Sequence, residues 1–102
     1  MSNPAQPDPS PKYRMVLFVA DHEPNSREAR RNIQGLCREH LKSAVCDVEV
    51  VDVLNDYRKA LEHRVLITPT LLVLSPSPTV RIVGNLADSE LVLSAMRARS
   101  GS

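Results

Sequence analysis

The run Met15-Val16-Leu17-Phe18-Val19-Ala20 is apolar at every position, and a strand without polar alternation has to be covered on both faces. Such a strand belongs in the middle of a sheet, so the rest of the chain must supply flanking strands and helices above and below. Asp21-His22-Glu23-Pro24 breaks the run. Behind it, Ala29, Ile33, Leu36, Cys37 and Leu41 recur at helical spacing while Arg27, Arg30, Arg31, Arg38 and Lys42 fall elsewhere. That is the pattern of an amphipathic helix, whose free N-terminal amides Asn25 or Ser26 can cap. Cys46, Val48 and Val50 then alternate with Asp47, Glu49 and Val51 and continue into Val53-Leu54, which predicts a second strand with a more exposed edge. Strand, helix, strand makes a βαβ unit with parallel strands and a right-handed crossover.

The second half follows a different plan. A short helix is predicted over 56–63, with Tyr57, Ala60 and Leu61 on one side and Asn55 as its cap. Leu71-Leu72-Val73-Leu74 forms a third strand after Thr68-Pro69-Thr70, Pro76-Ser77-Pro78 turns the chain, and Val80-Arg81-Ile82-Val83 returns as an antiparallel partner. Gly84-Asn85 ends that strand, because both residue types tolerate positive φ. Asp88 or Ser89 can cap a last helix carrying Leu91, Val92, Leu93, Ala95 and Met96, with Arg97 and Arg99 near its negative end. The fold class is therefore α/β, with the order βαβαββα and a mixed four-stranded sheet.

With 102 residues the chain has room for one core. Residues 1–12 carry Pro4, Pro7, Pro9 and Pro11 among polar residues and read as a disordered tail. The domain is expected over 13–99, with a flexible end at 100–102. A net charge of +1 gives no general pull toward polyanions, and Tyr13, Phe18 and Tyr57 are the only aromatic residues, so no stacking platform for nucleic acid can be assembled. No apolar run approaches the roughly 20 residues of a membrane span. Neither nucleic acid nor membrane is an expected partner, and a cytoplasmic location is. Cys37 and Cys46 have the spacing of neither a redox pair nor a secreted framework, and buried free thiols are expected. His22, His40 and His63 show no ligand spacing, so exposed imidazoles are expected, with no metal and no cofactor. The Arg27, Arg30, Arg31 and Arg38 set is expected on the wet face of the first helix.

That element order, with a proline directly before the third strand, resembles the thioredoxin-like superfamily. The resemblance implies a cis peptide at Pro69. Redox members carry Cys-Gly-Pro-Cys ahead of the first helix, where the helix N-terminus lowers the leading thiol's pKa. His22-Glu23-Pro24-Asn25 stands there instead, so disulfide exchange has no nucleophile at that place.

A closer resemblance, from about Arg14 to Arg97, is to the KaiB family of circadian clock proteins. It is carried by Leu17-Phe18-Val19-Ala20 followed by Pro24-Asn25-Ser26, by Val50-Val51-Asp52-Val53-Leu54, by Thr68-Pro69-Thr70-Leu71 and by Arg81-Ile82-Val83-Gly84-Asn85-Leu86. It implies a non-enzymatic regulator that binds a KaiC-type ATPase ring through the edge strand and adjoining loops of its second half. It also implies an alternative tetrameric fold in exchange with the thioredoxin-like monomer. Arg64, Arg81, Asp52 and Asn25 are the implied partner-binding residues, and Pro69 and Gly84 the structural ones. Members that switch fold tend to carry Gly and, two residues on, Asp where this chain has Ala95 and Arg97. Both replacements favour helix, which predicts a bias toward the binding-competent state. Two other readings stand beside this one: a redox enzyme using Cys37 or Cys46, and a stand-alone module resembling the input domain of the kinase SasA.

Overall fold

The computed structural model describes residues 12–42 and 45–100. All of the expected tail except Lys12 lies outside the described residues, as do the last two residues of the chain, whereas Ser100 is the final residue of the last helix. The elements are β1 (Tyr13–Val19), α1 (Pro24–Leu36), β2 (Cys46–Asp52), α2 (Tyr57–Glu62), β3 (Thr70–Ser75), β4 (Val80–Val83) and α3 (Ser89–Ser100). A π-helical turn, Cys37–Leu41, prolongs α1 and closes on Lys42 at φ 74°.

The sheet order is β2-β1-β3-β4. β1 runs parallel to β2 and antiparallel to β3, and β3 pairs antiparallel with β4. Every residue of β1 but Arg14 is buried, as its unbroken apolar run requires. Its alternate side chains serve two cores. Tyr13, Met15, Leu17 and Val19 meet Ala29, Ile33 and Leu36 of α1 and Val92, Leu93 and Met96 of α3 on one face. Val16 and Phe18 meet Val51, Leu72, Ala60 and Val65 on the other.

Four local expectations change. α1 begins at Pro24 behind Glu23, with proline in the first turn, where its missing N–H is no loss. Neither Asn25 nor Ser26 caps it. The Ser26 hydroxyl is buried and accepts a hydrogen bond from the Ala20 N–H at 3.0 Å. α2 is capped by Asp56, whose carboxylate accepts from the Lys59 N–H, and not by Asn55. Of the three apolar residues expected on its inner side only Ala60 is buried, while Tyr57 and Leu61 are exposed. After β4, Gly84 has φ +122° as expected, but the second left-handed residue is Leu86, at φ 63°, rather than Asn85. Asn85 is instead sewn to α1: its carbonyl accepts from Asn32 Nδ2 at 2.8 Å and its own amide donates to Glu28 at 3.1 Å. Asp88 caps α3 by accepting from the Leu91 N–H.

Candidate functional site

Parallel and antiparallel pairing together bring one end of every strand to the same end of the sheet. Val19 faces Asp52, Phe18 faces Thr70, and Thr70 faces Val83. The loops leaving β1, β2 and β4 and the loop entering β3 therefore converge there, and Asn25, Asp52, Arg64, Pro69 and Gly84 all lie in or beside them. Arg81 is two residues in from Val83 at the end of β4. Ala95 and Arg97 are not part of this end; they lie in the C-terminal half of α3, the first half-buried and the second exposed.

The place that holds the redox dithiol in thioredoxins carries a carboxylate here. Glu23 Oε1 accepts hydrogen bonds from Thr68 Oγ1 at 2.8 Å and from Ser26 Oγ at 3.3 Å. This joins the start of α1 to the loop of the Thr68–Pro69 bond, which is cis. Asn25 lines the shallow pocket above, with Glu23, Pro24 and Thr68. Glu23 and Thr68 are the residues that sequence reasoning missed. Their bond spans 45 residues, and the only signal available was the Thr-Pro-Thr turn itself.

Arg64 and Arg81 come together. Arg81 donates from Nη2 to the His63 carbonyl at 2.7 Å and from Nη1 to the Arg64 carbonyl at 3.3 Å. Its guanidinium thus holds the turn after α2, in which Arg64 takes φ 56°. Both arginines border a groove with Leu66, Ile67, Thr70 and Val83. Leu66 is 88% exposed, and Ile67 and Val83 are exposed beside it. Asp52 is used locally: its carboxylate accepts from the Leu54 N–H and from Asn55 Nδ2, and its carbonyl accepts from the N–H groups of Asn55 and Asp56. It is the hub of the β2–α2 turn.

The cysteines lie away from this end. Cys37 is buried in the π-helical turn and Cys46 is half-buried at the start of β2. Burial, reinforced by a hydrogen bond with Cys46, pushes the Cys37 thiol up to about 12. Burial raises Cys46 as well. The two thiols are neighbours, which their separate helix-like and strand-like surroundings in the sequence did not suggest. His22 and His40 are exposed, but His63 is half-buried with its ring 5.8 Å from that of Phe18, so the expectation of three exposed imidazoles holds for two. Arg27 and Arg31 are on the wet side of α1 and Arg38 is exposed in the π-helical turn that prolongs it; Arg30 is half-buried and pairs with Asp21 at 2.9 Å. Among the described residues no group of histidine, cysteine, aspartate or glutamate could hold a metal ion, and no helix is long and apolar enough to cross a membrane.

The KaiB domain, as a protein family, matches residues 16–98. The circadian clock oscillator protein KaiB of Synechococcus sp. (strain CC9311) is 38% identical over 85 residues, covering 83% of this chain and 71% of that protein. Among solved structures, the N-terminal domain of SasA from Synechococcus elongatus superposes with a TM-score of 0.71 at 19% identity, covering 100% of this chain and 98% of that one. The thioredoxin of Fasciola hepatica superposes at 0.69 with 20% identity over 86% of this chain and 82% of its own. The fold is thioredoxin-like.

Proposed function

We propose, because the chain belongs to the KaiB family of circadian clock proteins, that it is a non-enzymatic, cytoplasmic regulator that docks on a KaiC-type ATPase ring and modulates the ring's phosphorylation and ATPase cycle. The observation that carries this reading is the pairing of uncovered apolar side chains with two arginines at one end of the sheet. Leu66, Ile67 and Val83 are exposed beside Arg64 and Arg81, and an apolar centre with a charged border is what a protein interface needs.

Thiol chemistry finds little support at the corresponding end. His22 and Asn25 stand where thioredoxins place their sulfurs, and the two cysteines present are held protonated by burial. The role therefore rests on contact, with Arg64, Arg81 and Asn25 turned toward the partner and Asp52 holding the β2–α2 turn at the opposite edge of the sheet. Ala95 and Arg97 favour the helical form of α3 over the alternative tetrameric packing. The test is size-exclusion chromatography of the chain with a hexameric KaiC homologue under ATP and ADP. Co-elution in one nucleotide state is expected, and separate elution in both sinks the reading.

A further inference from the structure

β4 is the last strand of the sheet, and among the described residues nothing pairs with its outer edge. The direction of its backbone groups follows from one bond. The Gly84 N–H donates to the Pro69 carbonyl at 3.0 Å, so the groups of Gly84 point toward β3. Facing directions alternate along a strand. With the register Leu71 to Ile82 and Val73 to Val80, Ile82 and Val80 also point inward. The N–H and C=O groups of Arg81 and Val83 consequently point out of the sheet.

The side chains of the same two residues lie on the open side, since Arg81 faces Leu72 of the second core. Beside them stand Arg64, Leu66 and Ile67 in the groove of the loop that enters β3. Neither Arg64 nor Arg81 has a carboxylate partner among the described residues. The two contacts of the Arg81 fork go to neutral carbonyls and leave its charge uncompensated. An unpaired edge with two outward donor–acceptor pairs, two uncompensated cations and an apolar strip has a complementary shape and charge. It fits an extended backbone bearing carboxylates and small apolar side chains in alternation.

We infer that the β4 edge takes up an extended acidic segment of another protein as a fifth strand, hydrogen-bonded to Arg81 and Val83 and charge-matched to Arg64 and Arg81. This rests on the docking reading and adds how the edge strand would be read, by backbone pairing with an acidic segment. A second copy of the chain fits less well, because self-pairing along β4 carries the cations of both copies into one strip, and like charges across a strand pair are unfavourable.

The probe is a capped heptapeptide alternating Glu and Val, titrated into the isotope-labelled full chain and followed by amide resonances, with a Lys-Val peptide as control. Saturable shifts centred on the Arg81 and Val83 amides are expected, with about tenfold slower hydrogen exchange at those two positions and an affinity that falls as salt is raised. Val83→Pro deletes an outward N–H without removing a ladder bond, a placement proline tolerates at an edge, and should weaken binding at least about fivefold. Arg64→Glu changes only an exposed side chain and should do the same, which keeps the test decisive should Val83→Pro fold poorly. No shift at millimolar peptide, equal response to the Lys-Val peptide, or shifts at Arg81 and Val83 that grow with protein concentration alone each overturn the inference, the last in favour of self-association. The titration contains no ATPase, so its failure leaves ring docking standing, while loss of co-elution with peptide pairing intact removes the ring and keeps the edge.

Discussion

The two faces of the sheet are built from the same strands and finished differently. On one face Tyr13, Met15, Leu17 and Val19 are roofed by α1 and α3, and the core is closed. On the other, Val16, Phe18 and Leu72 are covered by one short helix, α2, and by Val65 of the turn behind it. A helix of only Tyr57–Glu62 cannot span four strands. The shortfall is visible at the surface: of the seven exposed large apolar residues among those described, Leu54, Tyr57, Leu61, Leu66, Ile67 and Val83 belong to the elements of this side. One face closes its core completely, and the half-covered face leaves apolar side chains exposed around a smaller core.

The largest effect that can break this division is a truncation on each side. Ile33 is fully buried under the covered face, and Ile33→Ala should cost about 2–5 kcal/mol in denaturant unfolding. Leu66→Ala should move stability by no more than about 0.5 kcal/mol yet weaken association with the ATPase ring. Equal losses of stability from the two variants would show that the faces are not divided in this way.

The covered face can also be probed by pH, through Cys37. Its folded thiol is raised to about 12 from the ordinary 9.0. Below pH 9 the thiol is protonated in both folded and unfolded chains, and its contribution is fully present. As pH rises past 9 the unfolded chain loses the proton while the folded chain keeps it, so stability falls until the folded thiol titrates as well. The slope should approach about 1.4 kcal/mol per pH unit relative to Cys37→Ala, which lacks the group. Identical alkaline unfolding profiles for the two proteins contradict this. Cys46, being less buried, should also react with a thiol reagent well before Cys37.

Where the two faces meet at the end of β4, Gly84 controls the junction. Its φ of +122° is strained for any side chain, although a Cβ there meets nothing within 4 Å. Gly84→Ala should therefore cost about 1–2 kcal/mol through backbone strain alone. A neutral result in thermal unfolding means that the junction relaxes.

How much of this division could be read in the sequence depends on the distance over which each contact acts. The buried middle strand, the βαβ unit, the hairpin and all three helices follow from local periodicity, and they are where the residue pattern puts them, except that β2 ends at Asp52 and Val53-Leu54, expected to continue it, enter the turn that Asp52 holds. The caps did not follow, because Asn25, Ser26, Asn55 and Asp56 are chemically equivalent candidates; α1 starts at Pro24, ahead of the first pair, and the Ser26 hydroxyl is taken by the Ala20 N–H. The site was legible as residues and not as an arrangement. Arg64 and Arg81 could be singled out, but the fastening of one arginine to the other's backbone carbonyl joins positions 17 residues apart. The incompleteness of the second face was hidden for the same reason. Tyr57, Ala60 and Leu61 have helical spacing, and spacing does not reveal how little lies beneath them.

Asp52 gives the finest test, because it sits at the convergent end of the sheet and has two roles to separate. Its carboxylate holds the Leu54 N–H at 3.0 Å and Asn55 Nδ2 at 3.2 Å, and an Asn side chain can still accept the first of these through its carbonyl oxygen. Asp52→Asn should thus stay within about 0.5 kcal/mol of the parent, while Asp52→Ala, which loses both bonds, should cost about 1 kcal/mol. If the residue only shapes the turn, ring association follows the same order, intact for Asn and reduced for Ala. Loss of association in Asp52→Asn at unchanged stability assigns the negative charge itself to the partner, and extends the docking surface from β4 and the loop before β3 to the far edge of the sheet.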